Sequence, residues 1–413
     1  MTTRRAVLRR LAVASGAAGL TGCSRMLDPG PGEGVPGLAA NPHADALPET
    51  QFGQTEFLPT DSAGNPLAPQ YHRVLLLSLD VAPSNEAART VERSMRTLEA
   101  AFEWAPDGLL HMLAWGTDYF ERIGELERAP IEHPEVLSRT DDPDLLSFDA
   151  ALVLESDTPS HLTAVENALF GDRDELNGEP VEVRLGDVFS VSARRTGFMG
   201  EGLPKEHAHA EGIPTGALSA EDPMFTGFFS GRKGTQASED RVTIRDGPFA
   251  GGTTMHLSHL TEDLDRWWND FDVPDRVAHM FASDVSPEDV TDFAETVPFD
   301  DAVREHAQEE GRVGHHEKVA RAREDGEPVV LRRDFNTVDG GQAGVHFLAL
   351  QRDLADFRKT RKAMNGWYLR DEHPAITDRK NNGLLEFITV QSRANFYVPP
   401  RKARSFPLFA GEN

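Results

Sequence analysis

Two stretches of this 413-residue chain carry the same succession of secondary-structure signals, and that repetition limits the fold more than any other feature. The first begins at Tyr71. HRVLLLSLDV is an apolar run of strand length that ends in acid and turn residues. Between Ala87 and Phe102 the apolar residues Ala88, Val91, Met95, Leu98 and Phe102 recur about every 3.6 residues, the period of a helix with one buried face. GLLHMLAWGTDYFERIG (Gly108–Gly124) reads as a second strand, a Gly-Thr-Asp turn and a short helix. FDAALVLESD (Phe148–Asp157) reads as a third strand, SHLTAVENALF as a second helix, and VEVRLGDVFSVSA as a fourth strand. The order β-α-β-β-α-β is that of a ferredoxin-like unit.

The second stretch repeats the scheme. TTMHLSHLTEDLDRWW (Thr253–Trp268) is a strand running into a helix from about Thr261, with Asp263 and Asp265 suited to its first turn. An acidic, loop-rich insertion fills about 270–313. Then come GHHEKVARAREDGEPVVLRRDFN, the apolar strand VHFLALQRD, a helix around Leu354 to Met364, and a last strand over Leu384 to Val398. The chain therefore reads as α+β: two ferredoxin-like halves, residues 69–210 and 211–413, with antiparallel sheets packed together and a boundary near 203–220.

The segment before the first strand is of a different kind. Thr3-Arg4-Arg5-Ala6-Val7-Leu8-Arg9 matches a twin-arginine export signal, and the apolar run Leu11 to Leu20 is too short to span a bilayer. Leu20-Thr21-Gly22-Cys23 has the form of a lipobox, whose cysteine becomes the lipidated first residue. A plain twin-arginine signal with an incidental cysteine is the alternative. Either way the expectation is export, with the lipobox adding an anchor on the outer face of the cell membrane. Cys23 is the only cysteine, so no disulfide forms within the chain. Residues 24–68, rich in Gly, Pro and Ala, read as a flexible tether.

Charge narrows the choice of partners. The formal net charge is -26, from 68 acidic and 42 basic residues, with the acids spread along the whole chain. Such a surface repels phosphate and argues against nucleic-acid binding. It suits a salt-rich medium, in which carboxylates hold water and their mutual repulsion is screened.

The residues able to carry chemistry are few. His315 and His316 open the central stretch, and Arg332 and Arg333 follow on a strand. Neighbours on a strand face opposite ways, so only one arginine can enter a pocket. His207 and His209 lie in a polar loop where a metal-dependent hydrolase site is conceivable, whereas His256 and His259, three apart on a strand, face opposite ways and cannot share an ion. No zinc-type or thiol pair, metalloprotease helix, phosphate loop or nucleophile elbow is present.

Taken together, the histidine pair, the strand-borne arginines and the two apolar strands that follow resemble the dye-decolorizing peroxidase family over roughly residues 70–400. The resemblance implies haem b held between the sheet and the helices of the C-terminal half. His316 would be the axial iron ligand, since Lys318, Arg321 and Arg323 follow it in the family's H-x-basic-x-x-basic-x-basic phrase. His315 is the rival one register away. Arg332 or Arg333 would be the distal arginine, with Asn336 lining the same pocket. Where the family has G-x-x-D-G this chain has RRTGFMGEGLP, so either Glu201 takes the aspartate's place or Gly200 does and the distal acid is missing. The activity implied is reduction of hydrogen peroxide with oxidation of a second, reducing substrate, in a protein that forms homo-oligomers as family members often do. The alternative is a haem-binding or cofactor-free surface protein of the same fold without turnover.

Overall fold

Burial on both faces explains why the strand segments read as unbroken apolar runs. In the computed structural model, which describes residues 34–35, 37–292 and 302–409, β1 (Tyr71–Leu79) is flanked by helices on one side and by another layer of strands on the other. Its odd residues Leu75, Leu77 and Leu79 pack against α1 (Asn85–Ala101) and α2 (Pro159–Phe170) through Val91, Met95, Leu98, Leu162 and Val165. Its even residues Val74 and Leu76 point into the protein with Met112 and Ala114 of β2 (Leu110–Gly116) and Ala151 and Val153 of β3 (Ala150–Ser156). Full burial of one such side chain contributes roughly 1.5–3 kcal/mol. Ser84 caps α1 by accepting a hydrogen bond from the amide of Ala87.

Pairing is antiparallel in the order β4 (Phe189–Phe198), β1, β3, β2, the fourth-first-third-second order of a ferredoxin-like unit. The second half repeats it. β9 (Ile388–Val398) lies beside β5 (Thr253–Glu262), then β8 (Gly344–Gln351), then the short strands β6 (Leu331–Arg332) and β7 (Phe335–Thr337). β2 meets β9 through Phe396 opposite Gly116 and Tyr397 opposite Trp115, and β7 meets β4 through Asn336 opposite Phe198. The two sheets are thus one, and the pairing of β7 with β8 closes it into a flattened ring around the apolar interior. Gly197 marks one seam: a Cβ there would lie 2.0 Å from the carbonyl oxygen of Asn336.

Several boundaries move. The halves expected to divide near 210 share this interior and belong to one compact unit. The fourth strand was expected from Val181; it begins at Phe189, because residues 175–180 form a small hairpin and Leu185–Asp187 a single turn. The tether expected to reach residue 68 ends much earlier. Phe52 lies fully buried in the interior, Gln51 donates to the carbonyls of Leu113 and Pro399, and Gln54 donates to Glu155. Composition misled there, since the glycines and prolines shape an ordered strap across the ring. The insertion over 270–313 contains helices at Val273–Met280, Pro287–Asp292 and Val303–Glu310. The signal-like segment 1–23 and its lipobox, and the tether as far as residue 33, lie outside the described residues. No helix among the described residues is long and apolar enough to cross a membrane.

Candidate functional site

The pleat that buries the odd residues of β1 under two helices is used differently in the second half. There the outer face of the sheet carries His256, Ser258, Leu260 and Glu262 of β5, Val345 and Phe347 of β8, and Val390 and Arg393 of β9. Two helices cover it, α3 (His315–Ala320) and α4 (Leu354–Asn365). They do not close down fully, leaving a cavity of about 210 Å³ between helices and sheet. Its walls are mainly apolar, from Leu260, Phe347, Phe357, Met364 and Val390. The charged and titratable groups on it are His315, His316, Arg232, Arg332, Asp334, Glu262, Arg361 and Arg393.

The helix bearing the histidines is pinned at both ends. The Gly314 amide donates to Glu317 Oε1 at 2.6 Å, and Glu317 Oε2 faces His306 Nδ1 at 2.8 Å. Gly314 itself passes so close to the next loop that a Cβ would lie 2.0 Å from the carbonyl oxygen of Phe281. Lys318, fully buried, donates its ammonium to Met364 O and Asn382 O at 2.8 Å each and to Asn382 Oδ1 at 2.5 Å. The basic residue two places after His316 is therefore a tie between α3 and the end of α4. Burial pulls its pKa far down.

Both histidines reach the cavity. His315 Nδ1 is buried and makes no hydrogen bond. Burial, reinforced by Lys318 and Arg332, pulls the His315 pKa well below the usual histidine value. Burial, with Arg332 and Arg323 nearby, brings His316 to about 3. Both imidazoles are thus neutral at ordinary pH, the form that ligates a metal.

Arg332 and Arg333 separate as alternation requires. Arg332 pairs with Ala349 across the sheet and lines the cavity, where its Nε lies 3.8 Å from Asp334 Oδ1. The side-chain amide of Gln236 clasps the Arg332 backbone, accepting its N–H at 2.8 Å and donating to its carbonyl at 3.2 Å. Arg333 points to the other face, donating to Phe52 O at 2.6 Å and lying 3.5 Å from Glu239. It does not line the cavity.

Two other expected site residues are elsewhere. Glu201 is exposed on a loop between Gly200 (φ 137°) and Gly202 (φ 81°) and is absent from the cavity wall. The loop turns outward because both glycines adopt backbone conformations that other residues avoid. Asn336 is fully buried but committed to the seam of the ring: its amide donates to Phe198 O and Pro223 O, and its oxygen accepts from the Phe225 amide. A side chain bound three ways to backbone has nothing left for a ligand.

The remaining histidine clusters resolve into structural contacts. His256 holds Asn395 at 2.7 Å and Ser258 at 2.6 Å and stacks on Phe357, while His259 faces the ring interior beside His346. His207 stacks on Phe198 at 4.0 Å. Among the described residues no group of three or more His, Cys, Asp or Glu side chains is arranged to hold a metal ion by itself.

Sequence reasoning missed Glu262, Asp334, Arg361 and Arg393. Glu262 could have been found by extending the even face of TTMHLSHLTE to its end, since it shares that face with His256, Ser258 and Leu260. Arg361 and Arg393 converge on Asp141, with Arg361 Nη2 at 2.5 Å and Arg393 Nη2 at 3.7 Å, and the Nε of each is buried without a hydrogen-bond partner.

Such a lining suits an apolar molecule that carries negative charge and offers an open coordination position to a neutral imidazole. Haem has those properties, and the orphaned His315 nitrogen and the unmet guanidinium N–H groups of Arg361 and Arg393 match its iron and its carboxylates.

Comparison with known proteins bears on the fold. A model of a family of unknown function (DUF7405) matches residues 69–400. None of the curated proteins compared matches the sequence. Among solved structures, a DyP-type peroxidase from Cellulomonas bogoriensis is 18% identical, with a TM-score of 0.53 over 89% of this chain and 96% of that one. A variant of DypB from Rhodococcus jostii RHA1 in complex with haem is 15% identical, with a TM-score of 0.53 over 86% and 99%. A dye-decolorizing protein from V. cholerae is 16% identical, with a TM-score of 0.52 over 86% and 99%.

Proposed function

This chain belongs to the DUF7405 family, whose function is unknown, and has the fold of the DyP-type peroxidases; from those premises we propose that it is a haem-dependent peroxidase. The observation that carries the reading is the cavity between sheet and helices, where neutral histidines on α3 stand with Arg332 and two arginines of unmet N–H groups. Haem b bound there would supply iron-centred exchange of electrons between hydrogen peroxide and a reducing substrate. The register of the basic residues favours His316 as its ligand, and His315, one position away on the same helix and also on the cavity, is the alternative. Arg361 and Arg393 would hold the haem carboxylates. Arg332, partly buried and with its backbone clasped by Gln236, would stabilise negative charge developing on peroxide oxygen. The phrase at residues 3–9 and Cys23 support export by the twin-arginine route with a lipid anchor.

One observation favours a haem-binding protein without turnover. Glu201, the acid one place beyond the position of the family's proton-shuttling aspartate, is exposed and off the cavity. Supplying haem to the purified protein and following peroxide-dependent dye oxidation separates the two readings. Turnover that requires haem supports the peroxidase; bound haem with no turnover leaves a carrier.

A further inference from the structure

Glu262 closes β5, its backbone held between Ala343 and Ile388. Its side chain faces the cavity, yet the residue is only 6% exposed and its Oε2 is buried without a hydrogen-bond partner. Among the described residues no cation forms an ion pair with it. Arg332, on the same cavity, lies 3.8 Å from Asp334, which also accepts from Ser230 at 3.3 Å. A carboxylate placed so is costly, and a neutral carboxylic acid is the stable form. Burial, with Asp334 adding its negative charge, pushes the Glu262 pKa up to about 8. The other charged or titratable groups on the cavity are Arg232, Arg332, Asp334, Arg361, Arg393 and the histidine pair.

We propose that Glu262 is the proton-transfer residue of this cavity, in the role that the family resemblance assigns to Glu201. The assignment rests on the peroxidase reading. The neutral carboxyl gives its proton to the outer oxygen of hydrogen peroxide. As the O–O bond breaks, that oxygen keeps the bonding pair and leaves as water. The carboxylate then takes up the proton of the inner oxygen, so Glu262 ends as it began. Haem bound there would supply the two electrons that cleavage of the O–O bond requires, and two molecules of a one-electron reductant would return them; overall, peroxide and two reductant hydrogen atoms would give two waters. A strand-end carboxyl suits this task, because its backbone is fixed on both sides while its side chain is buried against a mainly apolar cavity.

The test compares wild type, Glu262→Gln and Glu201→Gln in the full chain, with and without haem. Haem binding should be similar in all three, and so should the thermal midpoints near pH 4, below the range in which the Glu262 carboxyl costs stability. The peroxide-dependent rate should fall about a hundredfold or more in Glu262→Gln and stay unchanged in Glu201→Gln. The wild-type rate should decline as pH rises through about 8, and that decline should vanish from the residual activity of Glu262→Gln. Infrared difference spectra of the haem-free protein should show a protonated carboxyl band at neutral pH that Glu262→Gln removes. A full rate in Glu262→Gln, or a loss confined to Glu201→Gln, overturns the assignment. Failure of wild type to bind haem overturns the peroxidase reading and the role built on it, while the infrared band still reports whether Glu262 is a buried acid.

Discussion

Arg332, the last residue of a short strand, and Arg333, the residue after it, point in opposite directions, the first into the cavity beside Asp334 and the second towards Phe52 and Glu239. Their substitutions should therefore separate function from stability. Arg332→Leu should retain the fold and lower the peroxide-dependent rate about 10²–10³-fold, the effect of removing one donor to developing charge. Arg333→Leu should leave the rate per bound haem unchanged and cost about 1–3 kcal/mol, because the buried Phe52 carbonyl loses its partner. Steady-state rates set beside denaturant midpoints read both outcomes.

Phe52 tests whether residues ahead of the first strand belong to the core. It is fully buried among residues of both halves. Phe52→Ala should destabilise the protein by about 3–5 kcal/mol. A change below about 0.5 kcal/mol, as expected for an exposed site, would return the segment to the status of a tether.

The strands were legible because their burial is two-sided: HRVLLLSL and AALVLES contain the unbroken apolar runs Val74 to Leu77 and Ala150 to Leu154, where an amphipathic helix such as α1 alternates apolar and polar residues. The pairing order followed from the β-α-β-β-α-β succession, but closure into a ring depends on two pairs at one seam and one at the other, too few to leave a mark in composition. The histidine pair and Arg332 were legible as a phrase. Glu262, Arg361 and Arg393 were not, since each is an ordinary charged residue until the sheet and α4 face each other across the cavity. Glu201 and Asn336 went the other way, matching a phrase in sequence and lying off the cavity in space.

A buried ionic cluster ties the C-terminal segment to α1. Glu99 accepts from Arg401 at 2.7 Å and from Arg404, while Glu92 takes the other side of Arg404. Burial alone would raise the Glu99 pKa, but Arg404 and Arg401 outweigh it and bring it to about 2 from 4.5. A depressed carboxylate contributes stability that is present above its unfolded value and lost as pH falls through its folded value. Wild type should therefore weaken between about pH 4.5 and 2, and Glu99→Gln should flatten that limb. At neutral pH the variant should lose about 3–5 kcal/mol, the cost of breaking a buried pair.

Glu262 has the opposite sign. Its folded pKa of about 8 lies above the ordinary 4.5, so the native state holds a proton that the unfolded chain has released. Its contribution is present below pH 4.5 and is lost as pH rises towards 8. Glu262→Gln should match wild type near pH 4 and exceed it at pH 8, as read from denaturant midpoints at the two values. Equal stability at both would show that the carboxyl ionises freely.

The most direct measurement is an absorption spectrum of the full chain in molar salt after haem is supplied, taken beside His315→Ala and His316→Ala. The account predicts a Soret band in the parent protein that one of the two substitutions abolishes and the other retains, which also names the ligand. No band in the parent, or a band that survives both substitutions unchanged, would contradict haem binding in this cavity.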